Sequence, residues 1–288
     1  MSNAIYETVT KSIIEQLENG VAPWVKPWSA DSSANQNLVS KKAYSGINRL
    51  ILGMSGMAKG YTNNNWATFK QISEAGGMVR KGEKATQIVF FKPVTKTEIN
   101  SAGDLESTGY AVIKSYAVFN ADQTDGLELP ATQATIGNFQ DVQAAENRII
   151  KTGAAITHGG DSAFFMHSAD RVQLPNKTAF LTESNYYATA FHELTHWSGA
   201  KHRLDRDLSK GKFGNPEYAF EELVAEIGAA FLCQDHGIDG DIRHVAYIKS
   251  WLSVLKHDNS AIFKAAALAQ KAADYINSLD ATAQSVAA

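Results

Sequence analysis

Apolar residues recur four apart at Ile5, Val9, Ile13 and Leu17, a narrow stripe that predicts a short amphipathic helix over 5–19, closed by Gly20. The stretch 20–37 sets Pro23, Trp24, Pro27 and Trp28 in a polar surround and reads as an ordered loop. Helical spacing returns over 44–53 and 66–76. Segments 87–93 and 110–120 are rich in β-branched and aromatic residues and predict strands, with polar 95–108 as the connection between them. From 122 to 138 the chain turns polar around Gly126, Pro130 and Gly137, the composition of a linker. A helix over 142–152 follows, then an edge strand over 170–175, because the closing Pro175 cannot donate to a ladder. The remainder predicts helices over 183–198, 216–236, 242–256 and 261–279, the second opened by Asn215 as N-cap and Pro216 at the first helical position. This pattern predicts an α+β fold in two domains, 1–125 and a mostly helical 141–288, joined by a linker at 126–140, each half with its own core.

Composition narrows the class. With 44% hydrophobic and 20% charged residues in 288, the chain can bury a normal core. No apolar run approaches the roughly 18 residues that cross a bilayer, and the N-terminus lacks the basic start and apolar stretch of a signal peptide. A cytoplasmic protein with no membrane partner is expected. Cys233 is the single cysteine, which excludes an internal disulfide and a zinc site built from several thiolates. It lies in an apolar run and reads as core, so any metal must be held by His, Asp or Glu. The net charge of -3 is unevenly spread. Between Lys26 and Lys92, ten basic residues face three acidic ones, an excess that suits a polyanion.

The most specific feature is Phe191-His192-Glu193-Leu194-Thr195-His196-Trp197, an H-E-x-x-H motif inside a helical pattern. Residues four apart share a helical face, so His192 and His196 can aim ring nitrogens at one point about 2.0–2.1 Å away, as zinc requires. Glu193 sits beside that face, within reach of a metal-bound water whose proton it could take as general base. The plain alternative is two surface histidines on an ordinary helix.

Catalytic zinc keeps three protein ligands and one open position, so a third ligand is needed. Read onward, the motif continues to Gly199 and His202, literally the metzincin pattern. Metzincins also need a methionine turn after the motif, and the last methionine here is Met166, upstream of it. The competing candidate is Glu221-Glu222-Leu223-Val224-Ala225-Glu226 on the next helix, where Glu222 and Glu226 stand four apart. That arrangement resembles gluzincins, with Glu222 as ligand and Glu226 on the far nitrogen of a ligand His. The reverse assignment of the two, and His202, remain as alternatives.

In the first half, Trp24, Trp28, Tyr44, Trp66 and Phe69 are interleaved with Lys26, Lys41, Lys42, Arg49, Lys70, Arg80, Lys81 and Lys84. Cations that track phosphates and aromatic faces that stack bases are what a single-stranded nucleic acid site needs. Aromatics are more often core, and two or three of the five are expected inside.

Four ordered motifs, Pro23-Trp24-Val25-Lys26-Pro27-Trp28, Lys42-Ala43-Tyr44-Ser45-Gly46-Ile47-Asn48, Trp66-Ala67-Thr68-Phe69-Lys70-Gln71 and Gly77-Met78-Val79-Arg80-Lys81-Gly82-Glu83-Lys84, together resemble the N-terminal domain of the ArdC antirestriction family. The motifs at 191–197 and 221–226 resemble the zincin-type metallopeptidase domain of the same family, so nearly the whole chain is covered. Leu38-Val39-Ser40-Lys41 departs from the Thr-Gly more usual there. The resemblance implies a protein of conjugative plasmids that coats incoming single-stranded DNA and shields it from restriction. It also implies one divalent metal, zinc by preference, on His192, His196 and Glu222, with Glu193 as catalytic base and a peptide or protein as possible substrate. Matching DNA-contact candidates are Trp24, Lys26, Trp28, Lys41, Lys42, Tyr44, Arg49, Trp66, Lys70, Arg80, Lys81 and Lys84. Two alternatives stand beside this: a metal site that is structural or vestigial, and a dedicated protease recruited to DNA-bound targets. In the peptidase reading, the 170–174 strand pairs with substrate.

Overall fold

The computed structural model describes residues 2–20, 22, 24, 34–99, 105–127, 139–206, 215–238 and 245–280. Helix α1 (Ser2–Glu18) opens the chain; β1 (Gln36–Asn37), α2 (Ile47–Lys59), β2 (Asn65–Ala67), α3 (Phe69–Glu74) and β3 (Met78–Val79) follow. A long ribbon, β4 (Thr86–Ile99) and β5 (Leu105–Asn120), leads to the short β6 (Thr124–Asp125). The second half runs α4 (Phe139–Lys151), β7 (Ala155–His158), β8 (Phe164–Met166), β9 (Arg171–Leu174), α5 (Glu183–Ser198), α6 (Pro216–Asp235), α7 (Val245–His257) and α8 (Ala261–Ser278). The α+β expectation holds in both halves.

Several elements differ from the pattern reading for local reasons. Trp66 lies in β2, not in a helix. The helix begins only at Phe69, where Thr68 caps it by accepting from the Gln71 amide while the Gln71 side chain accepts from the Thr68 amide. Within the polar 95–108 segment, 95–99 and 105–108 are ladder: Thr95↔Gly109 and Thr97↔Ser107 continue the register of Thr86↔Val118. Threonine is polar and β-branched, so polarity alone hid its strand preference.

The strand at 171–174 is the centre of its sheet, not an edge. The order is β7-β9-β8, with β7 parallel and β8 antiparallel to β9. Pro175 stands one residue past the ladder and therefore removes no bond from it. The four-stranded sheet of the first half runs β1-β2-β5-β4.

The first half keeps two small clusters of its own, around Trp66 and around Ile72, but the largest core is shared between the halves. One hydrophobic cluster joins Ile13, Leu17, Trp24, Ile47, Leu50, Met54 and Val89 of the first half to Phe191, Leu194, Ile227, Phe231, Trp251 and Ile262 of the second. Helix α1 packs on α7 and α2 on α8. Trp24 meets Trp251 edge-on with centroids 5.4 Å apart. Most of the expected linker falls outside the described residues.

Candidate functional site

Helices α5 and α6 are buried around most of their circumference, which is why neither shows a clean polar stripe. Each has a well-made start: Thr182 accepts from the Asn185 amide, and Asn215 accepts from the Tyr218 amide. The two helices cross at Gly228, where a Cβ would lie 2.6 Å from Cγ2 and 2.8 Å from Oγ1 of Thr195. The glycine thus sets the close approach that brings the two motifs together.

At the crossing, His192 Nε2 and His196 Nε2 are 3.2 Å apart. Glu222 Oε2 lies 3.5 Å from the first and Oε1 3.5 Å from the second. Ligand atoms held 2.0–2.1 Å from a tetrahedral zinc stand roughly 3.3 Å from one another, close to these separations, with each ring nitrogen facing a different oxygen of the Glu222 carboxylate. His192, His196 and Glu222 form the candidate metal cluster among the described residues. His202 is not part of it. Its ring is 63% exposed and pairs with Asp170 at 3.3 Å, which removes the metzincin reading.

Carboxylates face the far nitrogens of both histidines. Glu226, 1% exposed, lies 3.7 Å from His192 Nδ1, in ion-pair rather than hydrogen-bond range. Glu221 Oε1 lies 3.1 Å from His196 Nδ1, a partner that the sequence reading missed. Arg206 holds Glu221 in turn, donating from Nη2 to Oε1 at 2.9 Å and from Nε to Oε2 at 3.3 Å. It also donates to Ser198 Oγ at 3.0 Å and to the Thr195 carbonyl, so one guanidinium ties the end of α5 to α6. Such contacts orient ligand rings and raise their basicity. Burial alone would lower His196, but its hydrogen bond to Glu221 and the nearby carboxylates push it up to about 9. Burial likewise opposes ionisation of Glu222, and the bond from His192 with the two imidazoles outweighs it, holding the carboxyl down at about 2.

Glu193 is buried and lines the same cleft, a cavity of about 450 Å³. Phe164 and Phe165 of β8, Tyr218 of α6 and Tyr247 of α7 line it too. The two phenol oxygens are 3.2 Å apart, and burial raises both above the ordinary tyrosine range. Neither tyrosine was singled out from sequence; Tyr218, one turn before Glu222 on α6, carried the only signal.

The nucleic-acid candidates divide. Lys41, Lys42, Lys70, Lys81 and Lys84 are exposed, and Lys70 makes only a surface pair with Glu74 at 3.6 Å. Tyr44 is half-buried, its hydroxyl accepting from Asn37 at 3.3 Å. Arg80 is exposed but braces the β6 turn, bonding the carbonyls of Asp122 and Thr124 and the Asp125 carboxylate. Trp24 and Trp66 are corrected to core residues, each 1% exposed, with no face left for a base. Arg49 is corrected as well: it is 4% exposed and bonded to Gln234, Asp235 and the Phe231 carbonyl, so it cannot reach phosphate. Lys26 and Trp28 lie outside the described residues.

Comparison with known proteins agrees with this two-part layout. A model of the N-terminal domain of anti-restriction factor ArdC matches residues 3–119, and a zincin-like metallopeptidase model matches 143–268. Uncharacterized protein y4eC of Sinorhizobium fredii is 38% identical over 97% of this chain and 94% of its own length. DNA primase TraC of Escherichia coli is 40% identical over 94% of this chain, which spans only 27% of the primase. The metal-free crystal structure of antirestriction ArdC protein from the R388 plasmid superposes with a TM-score of 0.78 at 39% identity, covering 94% of this chain and 96% of that one. Its Mn(II)-bound structure gives 0.76 at 38%, with the same coverage. With both halves matched in order and a relative aligned end to end, the chain belongs to the ArdC anti-restriction family.

Proposed function

We propose that the chain is a cytoplasmic antirestriction protein that binds single-stranded DNA through residues 1–125 and hydrolyses peptide bonds through residues 141–288, protecting incoming DNA during conjugation. The observation that carries the second activity is the donor triangle of His192, His196 and Glu222 beside a buried Glu193 in an open cleft. A divalent ion held there, zinc by the chemistry of the donors, would supply Lewis acidity to a carbonyl and acidify a water nucleophile. The Mn(II)-bound ArdC structure supports a divalent ion of some kind.

Glu193 takes the proton of the attacking water and returns it to the leaving amine. The protonated phenols of Tyr218 and Tyr247 are suited to donate to the carbonyl oxygen as charge develops on it. An extended peptide pairs with β8, whose outer edge has no strand partner among the described residues and whose Phe164 and Phe165 line the cleft. This replaces β9, which is paired on both sides. The exposed lysines support the DNA activity.

The test is protection of transferred DNA by the wild type and by Glu193→Ala. The variant should keep its metal and its single-stranded DNA binding and lose protection. Full protection by the variant would leave DNA coating as the whole function.

A further inference from the structure

With Trp24 and Trp66 in the core, Phe69, 59% exposed, is the one open ring among the described aromatic candidates, and a single ring gives no stacking track. The β4–β5 ribbon supplies two. Its register places Ile88 opposite Tyr116, Phe90 opposite Lys114 and Lys92 opposite Val112, so these six side chains share one face with Thr86 and Val118. One end of that face is covered: Ile88 and Val118 cluster with Leu52 and Trp66, and Tyr44 packs against them. The rest is open. Phe90 is 53% and Tyr116 45% exposed, and Lys92 and Lys114 are exposed beside them.

We propose that this open face is where single-stranded DNA lies, with bases stacked on Phe90 and Tyr116 and phosphates held by Lys92 and Lys114. The proposal rests on the reading of the first half as a single-stranded DNA binder and gives that reading a surface. Three features point to this occupant. The rings already touch edge-on, with centroids 6.3 Å apart, so little freedom is lost when a base arrives. Residues 86–92 and 112–118 contain two lysines and no acidic residue, a charge complementary to a polyanion. A second copy docking on the same face about a two-fold axis would bring lysines against lysines, which disfavours self-association there. Stacking needs an unpaired base face, so the site selects single strands. Exposed Lys41 and Lys42, just before Tyr44, extend the basic surface past the covered end.

The test uses the full chain and a fluorescein-labelled oligothymidylate, with affinity read by anisotropy over a salt series. Phe90→Ala and Tyr116→Ala should each weaken binding about 5- to 150-fold. Replacing both rings by Leu should not restore it, because leucine keeps the bulk and loses the stacking face. Lys92→Ala and Lys114→Ala should each lower the log-log salt slope by about 0.7. Circular dichroism checks that these surface variants remain folded. Wild-type affinity in the alanine variants, or full rescue by leucine, overturns the stacking face while leaving the DNA-binding reading intact. A wild type that binds no oligothymidylate brings down both. Loss of a dimer in the alanine variants with DNA affinity unchanged would assign the face to a second copy instead.

Discussion

Two carboxylates one residue apart in sequence have different tasks here. Glu222 points at the histidine donor atoms, whereas Glu221 turns to the back of His196 and is held by Arg206. Removing a donor differs from removing a distant imidazole. His192→Ala or Glu222→Ala should drop bound metal from about one equivalent to near zero, while His202→Ala, whose ring pairs with Asp170, should leave it unchanged. Metal analysis after gel filtration reads the result, and metal loss in His202→Ala alone would refute the ligand set.

A second residue-scale prediction concerns Glu146. Burial pushes its carboxyl up, but it accepts from Lys177 at 2.7 Å and from Tyr187 at 2.9 Å, and the balance holds it below its ordinary value. A depressed folded pKa means stability that is present above the unfolded value and lost as pH falls through the folded one. Because the pair is partly solvated, Glu146→Gln should cost less than about 1 kcal/mol at pH 7. The difference should close below about pH 4. Urea unfolding at pH 7 and pH 3 checks both the sign and the window.

At the scale of elements, the site depends on how closely α5 and α6 can approach. The Gly228 position faces Thr195, a buried β-branched residue whose hydroxyl is bonded to the Phe191 carbonyl, so it has little room to yield. Gly228→Ala should part the helices by a few tenths of an ångström and destabilise the fold by about 1–3 kcal/mol, as overpacking does. Metal affinity should fall with it, since two of the proposed ligands stand on one helix and one on the other. Thr195→Ser in the same chain should recover part of both losses by vacating the Cγ2 position. Titration calorimetry and thermal unfolding of the two variants measure this, and an unaltered affinity in Gly228→Ala would mean that the crossing does not set the donor geometry.

These two helices were also the most legible part of the chain. Asn215, Pro216 and the H-E-x-x-H spacing are local signals, and the structure follows them closely. The three-residue β8 was not legible, because a pair of phenylalanines between turns has no period to read. Two or three of the five first-half aromatics were expected inside, but that Trp24 and Trp66 are the buried ones was not legible, since their partners Trp251 and Asn35 are set by tertiary packing. Arg49 shows the limit most sharply: its cationic character suggested phosphate, while its actual partners lie more than 180 positions later.

For the molecule as a whole, that same arginine joins the halves. Arg49 leaves α2, lies 4.3 Å over the Phe231 ring and donates to Gln234 and Asp235 at the end of α6. Elsewhere between the halves, Thr10 donates to the Asn259 carbonyl, Lys256 pairs with Glu18, and the Gly46 amide donates to Gln270. Together with the shared apolar cluster, these contacts make the first half part of the scaffold behind the candidate metal site. The chain should therefore unfold in one calorimetric transition, although charge and family models divide it in two. Arg49→Ala should destabilise the whole by about 1–3 kcal/mol, because it leaves the buried Gln234 amide oxygen without its donor, while Asp235 keeps its bond from Asn277. Cutting within 126–140 is the stronger test. Each fragment would expose its share of the common core, so 1–130 and 131–288 made separately should be aggregation-prone or partly folded, and co-expression should restore a stable complex that binds metal. A fragment 131–288 that alone folds cooperatively and holds metal with wild-type affinity would show that the second half needs nothing from the first.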